Sequence, residues 1–106
     1  MKFYTVLTTE FALNDLQTGR IFYDKQASLL GNYFFDALLT DIESLHFYAG
    51  IHIQEYGYYK MLSKRFPYAI YYEISDDIAR VIAVLDQRRA PMYIYGQIYE
   101  RGSSDD

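Results

Sequence analysis

The chain contains no cysteine and no tryptophan, and only two histidines and two prolines. Without cysteine there is no disulfide framework, no thiolate metal site and no cysteine nucleophile. His46 and His52 leave little material for a metal centre, so neither a metal nor a cofactor is expected. No apolar run approaches the ~18 residues needed to span a membrane. The opening Met1-Lys2-Phe3-Tyr4 has no cleavable leader pattern, and a cytoplasmic protein without membrane contact is the expectation. Positive charge is also scarce: the net charge is −4, the wrong sign for coating nucleic acid through bulk electrostatics.

What remains is a core-forming chain. Of its 106 residues, 51% are hydrophobic and 23% charged, which excludes a disordered polypeptide and fits one domain. Thirteen tyrosines must be core, interface or stacking surface. The charge is uneven. Residues 1–59 hold three Lys/Arg against seven Asp/Glu, whereas residues 60–89 hold six cations against four anions. Those six are Lys60, Lys64, Arg65, Arg80, Arg88 and Arg89. They read either as a solvated scatter or as a local basic surface on an acidic body.

Short-range patterns predict the elements. Phe3–Thr8 is aromatic and β-branched and reads as a strand. Thr8 or Thr9 can cap a following helix, with Glu10 in its first turn. Ala12, Leu16, Gly19 and Tyr23 make an apolar stripe ending near Gln26. Gly19 on that stripe costs the helix about 1 kcal/mol relative to alanine and implies close packing against another element. Ser28 can cap a second helix, whose stripe is Leu30, Phe34, Leu38, Ile42 and Leu45. The short connection predicts an antiparallel helical hairpin. Residues 49–57 read as a loop with some local order. Tyr58–Lys64, Phe66–Ile74 and Ile78–Leu85 read as strands. Pro91 suits the first turn of a short C-terminal helix, and residues 101–106 read as a frayed acidic tail on a domain of residues 1–100.

Ser75-Asp76-Asp77 is a turn signal. A two-residue loop at Asp76-Asp77 sets Ile74 opposite Ala79, Tyr72 opposite Val81, Ile70 opposite Ala83 and Tyr68 opposite Leu85, all apolar. The other face then pairs Glu73 with Arg80, Tyr71 with Ile82 and Ala69 with Val84. One register thus gives an apolar face and a cross-strand ion pair together. Tyr68 and Tyr72 are core in this register. Tyr56, Tyr58, Tyr71, Tyr93, Tyr95 and Tyr99 fall outside it and read as interface.

Residues 64–91, KRFPYAIYYEISDDIARVIAVLDQRRAP, resemble the ParE/RelE superfamily of bacterial type II toxin–antitoxin systems. The shared pattern is an arginine before Phe-Pro-Tyr, a strand ending in aromatic residues, an acidic turn, and a strand running into Arg-Arg and proline. Leu29-Leu30-Gly31 leading to Phe34 is similar to the start of that family's second helix. The resemblance implies an α+β fold of order β-α-α-β-β-β, with an N-terminal helical hairpin packed on a small curved, mainly antiparallel sheet. It also implies a cognate antitoxin as partner, in a plasmid-stabilisation type of module. ParE-like members bind and block DNA gyrase; RelE-like members cleave messenger RNA on the ribosome.

Fold alone does not choose between these branches; the site must. In the nuclease branch an arginine follows the tyrosine of the central strand and stabilises charge at the scissile phosphate. Here that dipeptide is Tyr68-Ala69, and alanine can neither donate nor offset charge. A nuclease would have to draw on Arg88 and Arg89, with Tyr93 or Tyr95 in the later position. Arg80 and, if the strand stays extended, Arg88 are expected on the same side as Ala69. No convincing base is present: Glu73 is explained by Arg80, Glu55 lies in an unplaced loop, His46 reads as a surface or capping histidine and His52 as a loop residue. The sequence therefore favours a ParE-like binder that contacts its target through Lys60, Lys64, Arg65, Arg80, Arg88 and Arg89. A RelE-like ribosome-dependent endonuclease is the alternative, and a decayed member that retains only antitoxin binding is a third reading.

Overall fold

Helix α1 (Glu10–Gln26) begins where Thr9 does two things at once. Its side chain accepts a hydrogen bond from the Ala12 N–H at 3.3 Å, and its hydroxyl donates to the Val81 carbonyl at 2.8 Å. The cap thus also fixes the helix to the sheet. The computed structural model describes residues 2–103. The chain continues from β1 (Thr5–Thr8) through α1, α2 (Leu30–Glu43) and a one-turn α3 (Leu45–Tyr48). It then enters β2 (Ile53–Glu55), β3 (Tyr58–Leu62), β4 (Tyr68–Ser75), β5 (Ile78–Asp86) and α4 (Pro91–Gly102). The sheet order is β1-β5-β4-β3-β2, with β1 parallel to β5 and the other neighbours antiparallel. This is the expected α+β architecture with two elements added. Leu45–Tyr48 forms its own helical turn, and the presumed loop at 49–57 supplies β2.

The helical hairpin forms as its stripes predict. Ala12, Leu16, Gly19 and Tyr23 are buried on α1, and Phe34, Leu38 and Ile42 on α2. A Cβ at Gly19 would lie 2.5 Å from the Phe34 ring, so glycine there lets the helices approach. Burying a ring like Phe34 contributes about 2–3 kcal/mol. The cap of α2 is not Ser28. Leu29 takes the N-cap position in the left-handed region (φ 70°) and makes no side-chain cap bond. Asp24, reaching back from α1, accepts from the Gly31 N–H at 2.8 Å, which sets a carboxylate against the positive end of α2.

The β4–β5 hairpin starts in the predicted register: Ser75 opposes Ile78, Glu73 opposes Arg80 and Tyr72 opposes Val81. The Arg80–Glu73 pair closes at 2.8 Å. A bulge between Tyr71 and Tyr72 then shifts the pairing by one, so Tyr71 opposes Ala83, Ala69 opposes Leu85 and Tyr68 opposes Asp86. Ile82 is the extra residue, and Ile82 and Ala83 both join the cluster that contains Tyr71. Beyond the bulge the faces of β5 exchange. Val84 now points to the helical hairpin, and Leu85 to the opposite side.

Two apolar layers follow from this. One lies between the sheet and the α1/α2 hairpin and holds Tyr68, Ile70, Tyr72 and Val81. The other lies under α4 and holds Ala69, Tyr71, Ile82, Leu85, Ile94 and Ile98. Tyr71, read from the sequence as an interface tyrosine, is therefore fully buried, because α4 packs on the sheet face assumed to be open. Helix α4 extends through Arg101 and Gly102, so the expected tail begins inside the helix; residues 104–106 of that tail lie outside the described residues.

Candidate target-binding groove

Three elements converge at the C-terminal end of β5: the middle of α1, the turn after the strand, and α4. They enclose a groove of about 390 Å³ whose walls include Asp15, Phe22, Asp86, Arg89, Tyr93 and Arg101. Strand β1 accompanies β5 only to Val81, so the next backbone groups on that edge need other partners. Asp15 accepts from the Val84 N–H at 2.9 Å, and Arg101 donates to the Ile82 carbonyl at 3.1 Å. These two side chains also pair with each other. Together they replace the missing strand and close one end of the groove.

The Gln87-Arg88-Arg89 segment leaves the extended conformation, because Asp86 organises a turn there. Its carboxylate accepts from the Arg88 backbone N–H at 2.9 Å, from Nε at 2.9 Å and from Nη2 at 2.8 Å. This fork-on-carboxylate arrangement lowers the Asp86 pKa below its usual 3.8 and raises that of Arg88. The Arg88 guanidinium also donates to the Tyr23 hydroxyl at 3.4 Å, on the helical-hairpin side. Arg80 pairs with Glu73 in the pre-bulge part of the sheet. Arg80 and Arg88 thus do not share a side, contrary to the alternation expected along an unbroken strand.

Arg89 differs from Arg88. Among the described residues it has no carboxylate partner, and its guanidinium lies 3.7 Å above the Tyr93 ring. Tyr93 is one turn into α4, so the Arg-Arg-Ala-Pro start of that helix sets cation and ring together on the groove wall. The groove therefore offers one free guanidinium, Arg89, one neutralised guanidinium, Arg101, and three aromatic rings, Phe22, Tyr68 and Tyr93, beside the paired carboxylates Asp15 and Asp86. That set suits an acidic or planar group on a protein surface.

The remaining candidates lie elsewhere. Lys60, on β3, pairs with Glu55 at 2.8 Å. Burial works to lower its pKa, but Glu55 and neighbouring groups outweigh it and the pKa is raised. The Lys64 backbone N–H donates to Asp41, and Arg65 donates to the Tyr33 hydroxyl at 3.2 Å. Tyr95 faces Tyr56 and Tyr99 on another side of α4. Arg89 and Tyr93 come together on the groove wall; Arg88 turns to Asp86 and Tyr23 instead, and Lys60, Lys64, Arg65, Arg80 and Tyr95 do not join them. Asp15, Phe22 and Arg101 line the groove without having been singled out in the sequence. Asp15 precedes Leu16 of the apolar stripe and resembles any solvated helical carboxylate. Arg101 was assigned to the tail.

Neither histidine reaches this groove. His46 Nδ1 sits 2.8 Å from the Tyr4 carbonyl, and its ring stacks on Phe3. His52 Nδ1 meets the Tyr72 hydroxyl, which also accepts from the Gly50 N–H. Burial lowers the His52 pKa below 6.5 and pushes Tyr68 and Tyr72 up to about 12. Ala69 is fully buried beneath α4. Among the described residues, no three His, Asp or Glu side chains gather as metal ligands, and no helix is long and apolar enough to cross a membrane.

No family model matches the chain, and no curated protein matches it. Its fold, however, is that of a solved structure. A chain of the chromosomal ParDE TA system from P. aeruginosa superposes with a TM-score of 0.71 at 13% identity, covering 77% of this chain and 94% of that one. At that identity the likeness establishes the fold, and it is the fold that the 64–91 block implies.

Proposed function

We propose that this chain is the toxin component of a type II toxin–antitoxin module, and that it inhibits growth by binding a protein target and is neutralised by a co-expressed antitoxin. The fold shared with a chain of a ParDE TA system supports the module. The buried position of Ala69 under α4 carries the choice of binding over cleavage. In the nuclease reading the position after Tyr68 supplies a cation to an open catalytic face. Here the residue is alanine, the space above it is filled by Ile94 and Ile98, and neither imidazole lies on that face. Metal-independent cleavage needs a base, a phosphate clamp and an acid close together; the groove's two carboxylates, Asp15 and Asp86, are held in ion pairs by Arg101 and Arg88, and no imidazole lines it. DNA gyrase is the first target to test.

The experiment is expression of the chain from a tight inducible promoter, alone and together with the small protein encoded beside it. Growth arrest by the chain alone and relief by the neighbour are expected. Supercoiling by purified gyrase should fall when the chain is added, while ribosome-bound messenger RNA stays intact. Normal growth at high levels of folded protein would overturn the toxin reading, and codon-specific cleavage would overturn the binding mode.

A further inference from the structure

A second pocket, which shares no lining residue with the groove, contains a buried carboxylate that neither the fold nor the proposed function uses fully. It lies where the end of α2 and α3 pass over β3, encloses about 420 Å³ and is walled by Asp41, Ser44, Tyr48, Ile51, His52 and Met61, among others. Asp41 is only 7% exposed. One oxygen, Oδ2, accepts from the Ser63 hydroxyl at 2.9 Å and the Lys64 N–H at 3.3 Å, tying the β3–β4 connection to α2. The other, Oδ1, accepts from no described residue. No fully enclosed side-chain oxygen or nitrogen among the described residues lacks a partner, so this oxygen keeps access to solvent, and Asp41 is one of the residues that line the pocket.

A carboxylate held in a mostly apolar recess with an unused oxygen is a receptor for a cation. The rest of the pocket restricts which cation. Tyr48 is 53% exposed and Ile51 73%, so a ring and an aliphatic side chain stand at the mouth, where a long basic side chain can lay its stem. A planar guanidinium gains more here than an ammonium, because it can both fork onto a carboxylate and stack on a ring. His52 has its Nδ1 engaged with Tyr72, and burial holds its pKa down, so at neutral pH it adds no competing charge. Lys64 also lines the pocket; its backbone N–H bonds to Asp41, but the residue is exposed and its ammonium forms no ion pair with that carboxylate.

We infer that the Asp41 pocket is a docking socket for an arginine side chain presented by a partner polypeptide. This rests on the pocket's own geometry and holds whether or not the chain is a toxin. The test is a heteronuclear NMR titration of the full chain with a capped Gly-Arg-Gly tripeptide, its citrulline counterpart as the uncharged isostere, and free L-arginine. Saturable shifts at Asp41, Ser63, Lys64 and Tyr48 are expected with the arginine peptide and not with citrulline. Asp41→Asn keeps an oxygen for Ser63 and Lys64 while removing the charge, and binding should weaken at least tenfold. Tyr48→Ala, a change at an exposed ring that leaves the core intact, should weaken it several-fold. Equal binding of citrulline, unchanged binding by folded Asp41→Asn, or no saturable shift with the arginine peptide would overturn the inference. Free arginine binding far more tightly than the capped peptide would point to a small-molecule site and would also overturn it.

Discussion

Asp15 and Arg101 stand 86 positions apart in the chain and meet as a bidentate pair, Nη1 to Oδ2 at 2.6 Å and Nη2 to Oδ1 at 2.9 Å. Their side chains are 14% and 11% exposed, and both also bond to the edge of β5 that β1 leaves bare. Burial raises the Asp15 pKa above 3.8 even though Arg101 and the Val84 N–H favour its charge. Desolvation therefore outweighs the Coulombic gain, as buried pairs often show. An acid with a raised folded pKa contributes most at low pH and less as pH rises through that value. The pair accordingly serves to hold α4 in place and is not an acid-sensitive latch.

Removing one partner should be worse than removing both. Asp15→Ala or Arg101→Ala leaves a buried charge uncompensated and should each cost about 3 kcal/mol. Asp15→Ala combined with Arg101→Ala should cost less than the sum of the two single changes, with a residual loss from the orphaned Ile82 carbonyl and Val84 N–H. Urea unfolding of the four proteins provides the cycle, and strict additivity would show that the two side chains act independently.

Gly19→Ala is the corresponding test of the helical hairpin. The added methyl would meet the Phe34 ring at 2.5 Å, and Phe34 is fully buried and packed against Tyr23, Phe66 and Tyr68. The gain of about 1 kcal/mol in helix propensity should be exceeded by the cost of overpacking, typically about 1–3 kcal/mol. Thermal unfolding should therefore show a lowered midpoint. A raised one would mean that the ring can move aside.

How much of this was legible in the sequence depends on the range of the interaction. The α1 and α2 stripes, the Thr9 cap and the Glu73–Arg80 register are set by residues near in sequence or by one tight turn, and the pattern of residue types exposes them. The bulge after Val81 was not legible, because Ile82 and Ala83 are both apolar and suit either face. The placement of α4 was hidden for a related reason. Ala69, Tyr71 and Leu85 form an apolar second face, yet an antiparallel sheet can leave one face to solvent. Once α4 covers that face, Tyr71 becomes core and the surface expected to be active closes. The groove was partly legible: the resemblance of the 64–91 block singled out Arg88, Arg89 and Tyr93, of which Arg89 and Tyr93 line the groove, whereas Asp15 and Arg101 meet only through the tertiary fold.

Acid should weaken the link between His52 and Tyr72. Burial lowers the histidine's folded pKa below 6.5, so the fold favours the neutral ring, which accepts from the Tyr72 hydroxyl through Nδ1. A base with a depressed folded pKa contributes stability that is complete above its unfolded pKa and is lost as pH falls through the folded value. The advantage of the parent over His52→Gln should therefore shrink between pH 7.5 and pH 5. Melting curves at the two pH values measure it. A constant difference would remove His52 from the acid response.

Arg88 and Arg89 are neighbours with different surroundings, which allows the binding mechanism to be separated from folding. Arg88 is committed to Asp86 and Tyr23, so Arg88→Ala should loosen the turn and cost about 1 kcal/mol or less, the usual worth of an exposed ion pair. Arg89 has only the Tyr93 ring beneath it, so Arg89→Ala should leave stability within about 0.5 kcal/mol of the parent. If the groove binds the target, Arg89→Ala should nevertheless abolish most of the growth inhibition, and binding to the purified target should fall in parallel. Ala69→Arg tests the opposite reading. In a nuclease lacking one cation, that change restores charge stabilisation, a contribution of about 10²–10³ in rate where a single donor is concerned. In this structure Ala69 is fully buried between the sheet and α4, and an unpaired guanidinium there should cost upwards of about 4 kcal/mol. Loss of folded protein with no gain in cleavage is the expected result. A stable Ala69→Arg protein that cleaves ribosome-bound messenger RNA faster than the parent would show that α4 moves off the sheet and that the binding mechanism is wrong.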